Sequence, residues 1–441
     1  MKRLLSLLLC AVLALFCATT AQAAGVSITL TASEYALHYA LDAGAQDPFV
    51  ILEYATPAEK GWMMLYSEDG HFEGDVSLAY SGAGGKTSVA LTSARTTGSI
   101  GKASTTLPKA ADYQKPTGKS NAKVTDFVLT ETPEGFHYAF NAIGTDYMLL
   151  YWRSKEQTVT QPVYPDENGH YEGDVVSELT FARTQFTVQV KSGSGSMKKE
   201  ATVRKGYQAP EAPQRQEGRL SGVTVCIDAG HQENGRFVNE PIGPGLTGST
   251  SGKGGMAQGT KTNRRESIVC LEIGMLLRDE LLRQGANVVM TREDQTTFHT
   301  NIERCEIAEA GGAQIMLRLH CNNSSNHSKR GIQVYGPLNS DYAKAVADAD
   351  TYREMGQKLL DAMKTRVGMT LANSTGMVRL NDNYVGNNWA KMMCFLVEMG
   401  YLSNPAEEYL LVTPVYQQWL AEGMADGVYE IAVARGWVQA Q

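Results

Sequence analysis

The sequence predicts a multidomain chain in which two tandem all-β sandwich modules, immunoglobulin-like in outline, precede an α/β domain. Three observations predict it. Two motifs recur at one fixed spacing in the first half. The repeated unit reads as short strands divided by turns. From about Ser221, strands begin to alternate with helices. The length, 441 residues, also exceeds what one core is expected to organise.

The chain opens with a targeting pattern: Lys2 and Arg3, then an apolar run from Leu4 to Cys17, then the small-x-small triplet Ala21-Gln22-Ala23. Residues 1–23 therefore read as a signal peptide cleaved after about Ala23. The run is short for a membrane span. Bulky Phe16 argues against a lipid anchor at Cys17. No later apolar run is long enough to span, so the expectation is a secreted, extracytoplasmic chain without stable membrane insertion after cleavage.

The repeat comes next. Leu37-His38-Tyr39-Ala40-Leu41 returns as Phe136-His137-Tyr138-Ala139-Phe140, and Gly70-His71-Phe72-Glu73-Gly74-Asp75-Val76 returns as Gly169-His170-Tyr171-Glu172-Gly173-Asp174-Val175, both 99 residues on. Two matches at one offset indicate tandem copies of one unit. Tyr35, Leu37 and Tyr39 alternate with smaller or polar residues at strand period. Glu68-Asp69-Gly70 and Asp166-Glu167-Asn168-Gly169 read as turns. The modules are expected at 24–110 and 120–206, with turn and strand structure as the plain reading of the repeated motif. A polar linker with Pro210 and Pro213 follows at 207–219.

The last domain is expected at 220–441. Val223–Ile227 is an apolar strand, and Ile268, Leu271, Met275 and Leu282 share a helix face from about Arg264 until Gly285. Strands follow at 287–291, 314–319, 331–335 and 391–397, with helices at 302–310, 343–367 and 407–434 between and after them. Such alternation implies a largely parallel sheet covered on both faces, with its ligand site beyond the carboxyl ends of the strands.

Polar groups stand at those ends. His231 follows the first strand, His320 the third and Glu398 the last, while Glu266 opens the first helix. Two histidines and one carboxylate make the protein ligand set of a catalytic zinc ion with a position left for water. A further carboxylate on an apolar strand, Glu398, suits proton transfer. Taken singly, His231 and His320 could be plain loop or core histidines, Glu266 a helix-start carboxylate, and Glu398 a buried structural one.

These residues resemble the zinc-dependent N-acetylmuramoyl-L-alanine amidases over Val223 to Gly436. Val225–His231 is similar to that family's opening strand and first zinc histidine, and Glu266-Ser267-Ile268 to its zinc glutamate. Thr291-Arg292, then Arg304 with Ala308, resemble its "TR … R … A" stretch. Leu319-His320-Cys321-Asn322 resembles its second zinc histidine segment. Glu398-Met399-Gly400-Tyr401-Leu402-Ser403-Asn404 resembles its catalytic-glutamate signature. The resemblance implies hydrolysis of the amide between N-acetylmuramic acid and L-alanine in peptidoglycan. Zn2+ would sit on His231, Glu266 and His320, and Glu398 would act in catalysis. Cys321 departs from the small residue usual there, and the connection from His231 to Glu266 is long and glycine-rich, with Glu240–Gly245 expected to wall a groove.

Other features bound the partners. The formal charge of −7 becomes −9 when Lys2 and Arg3 leave, which excludes the basic footprint of a nucleic-acid binder. Five cysteines remain after cleavage, Cys226, Cys270, Cys305, Cys321 and Cys394; in apolar surroundings they read as buried thiols. His299 and His327 read as solvated, and Arg292, Arg304 and Asn322 as scaffold. The expected partner is peptidoglycan, with wall or partner binding by the β modules and a protein activator left open. Two rival readings remain: a zinc peptidase acting on stem peptides, and a non-catalytic wall-binding protein.

Overall fold

The computed structural model describes residues 18–23, 26–44, 48–78, 81–94, 98–111, 123–132, 135–143, 148–153, 158–176, 185–191, 197–204, 210–232, 238–250, 255–262, 264–367 and 377–440. The first 17 residues of the expected signal peptide lie outside these, as do residues 207–209 of the expected linker. The chain divides into two compact units: the described residues up to Arg204 belong to the first and those from Pro210 onward to the second.

The first unit is all β. One copy of the repeat holds β1 (Ala18–Ala23), β2 (Val26–Ser33), β3 (Ala36–Asp42), β4 (Phe49–Ala55), β5 (Glu59–Tyr66), β6 (His71–Ser77), β7 (Gly85–Ser93) and β8 (Ser99–Leu107). The other holds β9 (Lys123–Thr132), β10 (Gly135–Ile143), β11 (Met148–Arg153), β12 (Thr158–Val163), β13 (His170–Val176), β14 (Gln185–Lys191) and β15 (Met197–Arg204). In the first copy, alternation on β3 turns Leu37, Tyr39 and Leu41 inward. They meet Val50, Leu52 and Leu91 of the facing sheet. In the second, Phe136, Phe140 and Tyr171 face Leu150, Trp152 and Val188, and Phe140 stacks on Tyr171 at 4.6 Å between ring centres.

Two features go beyond the sequence expectation. The copies are joined by main-chain pairing of β12 with β5, so β15-β14-β11-β12-β5-β4-β7-β8 is one continuous sheet. And β1, inside the expected signal peptide, pairs with β2 from Ala18↔Thr31 to Ala23↔Val26. Cleavage after Ala23 would remove that strand and leave β2 at the sheet edge.

The second unit contains β16 (Thr224–Ala229), α1 (Glu266–Arg283), β17 (Asn287–Met290), α2 (Asn301–Ala310), β18 (Ile315–Asn322), β19 (Gln333–Gly336), α3 (Asp341–Val346), α4 (Ala349–Val367), β20 (Met377–Leu380), α5 (Val385–Trp389), β21 (Met393–Tyr401), α6 (Glu407–Leu411) and α7 (Pro414–Ala434). Its sheet runs β17-β16-β18-β21-β19-β20. Every pairing in it is parallel except β19 with β21.

Register sorts the side chains by face. Ile227, Leu317 and Phe395 are cross-strand neighbours, and glycines of α1 and α4 come close to this apolar face, Gly274 at Ile227 and Gly356 at Phe395. The opposite face carries Cys226, Met316 and Cys394, which pack with Cys305 and Ala308 of α2. Above that apolar patch, Asp228, Arg318, His320, Leu396 and Glu398 continue the same face toward the strand ends.

Some element limits differ from expectation. The helix expected over 343–367 is two, because Ala347 turns to extended backbone. The helix expected over 407–434 is interrupted at Thr413, and α7 restarts on Pro414, which has no N–H to continue the preceding hydrogen-bond ladder. The short β20 and α5 have no counterpart in the expectations, since four or five residues hold barely one period of any pattern.

Candidate active site

Three of the four expected site residues converge directly. His231 Nε2 lies 3.1 Å and His320 Nδ1 2.9 Å from the same Glu266 oxygen. The two rings meet edge to face at 4.9 Å, and one donor atom from each residue lies within 4.8 Å of the others. Glu398 is the cross-strand neighbour of His320. Strand ends supply His320 and Glu398, the turn after β16 supplies His231, and the first turn of α1 supplies Glu266.

The local backbone explains the convergence. His231 has φ +58, a left-handed conformation uncommon for a residue with Cβ, at the turn from which its ring meets Glu266 and His320. Gly230 allows the close approach: a Cβ there would stand 2.4 Å from the Leu319 carbonyl oxygen and 2.6 Å from His320 Cε1. Glu266 is held by its second oxygen, which accepts from Ala257 N at 2.7 Å, and by Cys321 N, which donates to its first at 3.0 Å.

A buried charge cluster supports this backbone from below. Asp228 is fully buried and accepts from Arg304, from Arg318 Nε at 2.8 Å and from Thr291 Oγ1 at 2.8 Å. Burial alone would raise its pKa, but the two guanidinium groups outweigh burial and hold the carboxyl well below its usual range. Arg304 also donates to the Ala229 and His231 carbonyls at 2.9 and 3.2 Å, and to Gln232. Arg292 donates to the carbonyls of Ala229, Gly230 and Ser267 at 2.8, 2.9 and 2.7 Å. Burial lowers the Arg292 pKa to about 10, so it stays charged at neutral pH.

The electrostatics at the site divide its two carboxylates. Burial pushes Glu266 up, yet the hydrogen bonds from His231 and His320 prevail and hold it below its ordinary value. Glu398 has no such help: burial, then the nearby negative charge of Glu266, push it well above the usual range. Its Oε2 is buried without a hydrogen-bond partner, and so is His320 Nε2. Burial lowers the His320 pKa, favouring the neutral ring that a metal ligand must be.

The wall beyond Glu398 is polar and aromatic. Gln333 on β19 is the other cross-strand neighbour of Glu398. Tyr335 and Tyr384 pack edge to face at 5.1 Å. The connection from His231 to Glu266 forms a small hairpin at 240–250, closed by the Pro241↔Ser249 bridge. Glu240 caps α2, accepting from Ile302 N at 2.8 Å and Asn301 Nδ2 at 2.7 Å. Trp389 Nε1 reaches the Pro241 carbonyl at 2.9 Å.

The remaining expectations divide. All five cysteines are buried and free. Arg292 and Arg304 hold backbone, and Asn322 pairs with Gln333. His327, expected to be solvated, is exposed, and its Nδ1 lies 2.6 Å from the Ser403 carbonyl oxygen. The repeated β motifs form His–carboxylate ladders: His38 and His71 flank Glu73 in one copy, and His137 and His170 flank Glu172 in the other. Sequence reasoning assigned no role to Asp228, Arg318 or Gln333. An aspartate and an arginine inside apolar strands were the available signal for the first two, because charges in such places require partners.

Residues 225–430 match the family model described as N-acetylmuramoyl-L-alanine amidase. A germination-specific N-acetylmuramoyl-L-alanine amidase of Bacillus subtilis is 26% identical over 231 residues, covering 49% of this chain and 83% of that protein. A probable cell wall amidase, LytH, of Staphylococcus aureus is 27% identical over 218 residues, covering 48% of this chain and 60% of that protein. The crystal structure of an N-acetylmuramoyl-L-alanine amidase from Clostridium difficile 630 aligns with 48% of this chain and 96% of its own, at 24% identity and a TM-score of 0.38. Residues 225–430 of this chain are an N-acetylmuramoyl-L-alanine amidase domain.

Proposed function

We propose that the protein hydrolyses the amide between N-acetylmuramic acid and L-alanine in peptidoglycan, using zinc on His231, Glu266 and His320 and proton transfer by Glu398. The observation that carries this is the meeting of two imidazole nitrogens on one Glu266 oxygen beside a carboxylate whose Oε2 is buried without a partner. The donor set fits zinc: two nitrogens and a carboxylate oxygen, all within 4.8 Å, with one more imidazole nitrogen buried and unpaired. Zinc bound there would polarise the scissile carbonyl and lower the pKa of water.

The chain's own residues supply the rest. Glu398 stands one strand from His320, placed to take a proton from water and deliver it to the departing L-alanine nitrogen. Its burial keeps bulk water from competing for that proton. Asp228, Arg292 and Arg304 fix the backbone that carries His231. The two β modules hold the enzyme at the wall or at a protein partner, and the protein acts outside the cytoplasm after loss of residues 1–23.

Digestion of purified peptidoglycan by the mature chain tests this, with products read by mass. Stem peptides bearing a free L-alanine amino terminus, lost with a chelator and restored by zinc, are expected. Fragments cut between amino acids would establish a peptidase instead. Retention on the wall with no release from zinc-loaded protein would overturn the catalytic reading.

A further inference from the structure

We propose that Gln333 binds the carbonyl oxygen of the L-alanine residue whose nitrogen departs, and so positions the leaving peptide over Glu398. The proposal deepens the amidase reading and rests on it.

The argument begins with the orientation of one amide. Gln333 Oε1 accepts from Asn322 Nδ2 at 3.0 Å and from Tyr335 Oη at 2.7 Å. A side-chain amide has one acceptor oxygen and one NH2 group. The Asn322 contact fixes which end is which: the Asn322 oxygen accepts from Asn323 N at 2.9 Å, so its NH2 faces Gln333, and a flip of Gln333 would set NH2 against NH2. The Nε2 end is therefore the one turned away from this pair. Among the described residues it has no protein acceptor. Gln333 is only half-buried, so its N–H groups are available to a ligand.

Its place in the sheet shows which ligand group. Reading across the strand ends, His320 on β18, Glu398 on β21 and Gln333 on β19 are successive cross-strand neighbours on one face. Adjacent strands stand roughly 4.8 Å apart. The candidate ligand cluster, the proton-transfer group and the amide donor thus form a row with regular steps. The substrate run from the scissile carbonyl through the departing nitrogen and Cα to the next carbonyl covers only about 4 Å, and a contact of about 3 Å at each end extends its reach to about two strand steps. With the scissile carbonyl at the cluster and the nitrogen beside Glu398, the L-alanine carbonyl falls toward Gln333. The donor is preset, so little ordering is required on binding.

The test compares two substrates and two variants in the full-length mature chain. The first substrate is N-acetylmuramoyl-L-alanyl-D-glutamate. The second is the N-acetylmuramoyl amide of (S)-2-aminopropanol, which keeps the scissile amide and methyl group but lacks the next carbonyl. Gln333→Met removes the N–H donors at similar length without a change of charge; Gln333→Glu keeps an oxygen for Asn322 and Tyr335 but adds a negative charge beside Glu398, so it serves as the second variant. We expect Gln333→Met to lower kcat/KM on the first substrate at least tenfold, mainly through KM, and to leave the second within about twofold of wild type. The L-alanyl-D-glutamate product should also bind Gln333→Met at least tenfold more weakly in calorimetry. Gln333→Glu should repeat the loss on the first substrate.

Equal losses on both substrates would overturn the proposal, because Gln333 would then act on the chemistry or the fold. Unchanged kinetics on both would overturn it as well. Wild-type turnover of the first substrate reports on the amidase reading by itself. A wild type that releases no peptide removes that reading and the assignment with it.

Discussion

Replacing Asp228 with asparagine should be among the most destabilising isosteric changes in the C-terminal unit. The wild-type carboxylate is fully buried and receives Arg304, Arg318 and Thr291. Asparagine keeps one acceptor oxygen but turns an NH2 toward a guanidinium, donor against donor. It also leaves two buried cations without their shared counter-charge. Removing one partner of a buried ion cluster costs about 3–5 kcal/mol. In a unit of this size each kcal/mol moves the transition by about 2–4 °C, so a fall of about 6–20 °C is expected. Scanning calorimetry of the full chain, following the C-terminal transition, measures it. The pH dependence adds a second check. A folded pKa held below the unfolded one contributes stability that is present above the unfolded value and lost only as pH falls through the folded value. The gap between wild type and variant should therefore stay constant from pH 9 down to about 5. A gap under about 3 °C, or one that closes within that range, would refute the argument.

The remaining predictions concern other buried groups. Glu398→Gln should lower kcat by about 10²–10⁴ with zinc content unchanged in metal analysis; a loss of zinc would make Glu398 a ligand instead. Arg292→Lys should weaken metal binding by about 10–100-fold in chelator competition, a range typical of losing an outer support, because a point ammonium cannot serve three carbonyls that a planar fork spans. Glu407 has its pKa raised by burial to about 7, despite accepting from Tyr401 N and Gly331 N. A raised carboxyl favours the folded state fully below its unfolded value near 4.5, and that contribution is lost as pH rises through about 7. Glu407→Gln should therefore flatten the decline of the melting temperature between those limits, and an unchanged slope would assign the decline to another group.

The candidate ligands were legible because each carries a local sign. His231 and His320 stand where apolar strands stop, Glu398 is a charge in the run Phe395–Met399, and Glu266 stands just ahead of a helical pattern. Their supports were not legible in the same way. Asp228 finds Arg304 and Arg318 at separations of 76 and 90 residues, and Glu240 caps a helix 61 residues away. No spacing rule links such positions; the parallel strand order brings them together. Gln333 is similar: its register against Glu398 depends on β19 running antiparallel in an otherwise parallel sheet, and a four-residue strand does not declare its direction. In the N-terminal unit the duplication showed two copies. The pairing of β12 with β5 involves only two residue pairs, Thr158↔Lys60 and Val159↔Glu59, too little to mark either strand as a shared edge.

The supports also explain how the three candidate ligands are held. The two imidazoles meet one Glu266 oxygen through hydrogen bonds, and those contacts keep their geometry only where the backbones beneath them are fixed. The two segments that bear His231 and Glu266 share a guanidinium. Arg292 binds Gly230 O, one residue before His231, and Ser267 O, one residue after Glu266, through the same Nη2. His320 is fixed independently by the pairing of β18 with β16 and β21. The distances among the three candidate ligands thus rest on a sheet and on arginines that grip backbone, Arg292 and Arg304. Backbone held this way would lower the ordering cost of binding a metal, because the ligand positions are fixed by groups that are not themselves ligands.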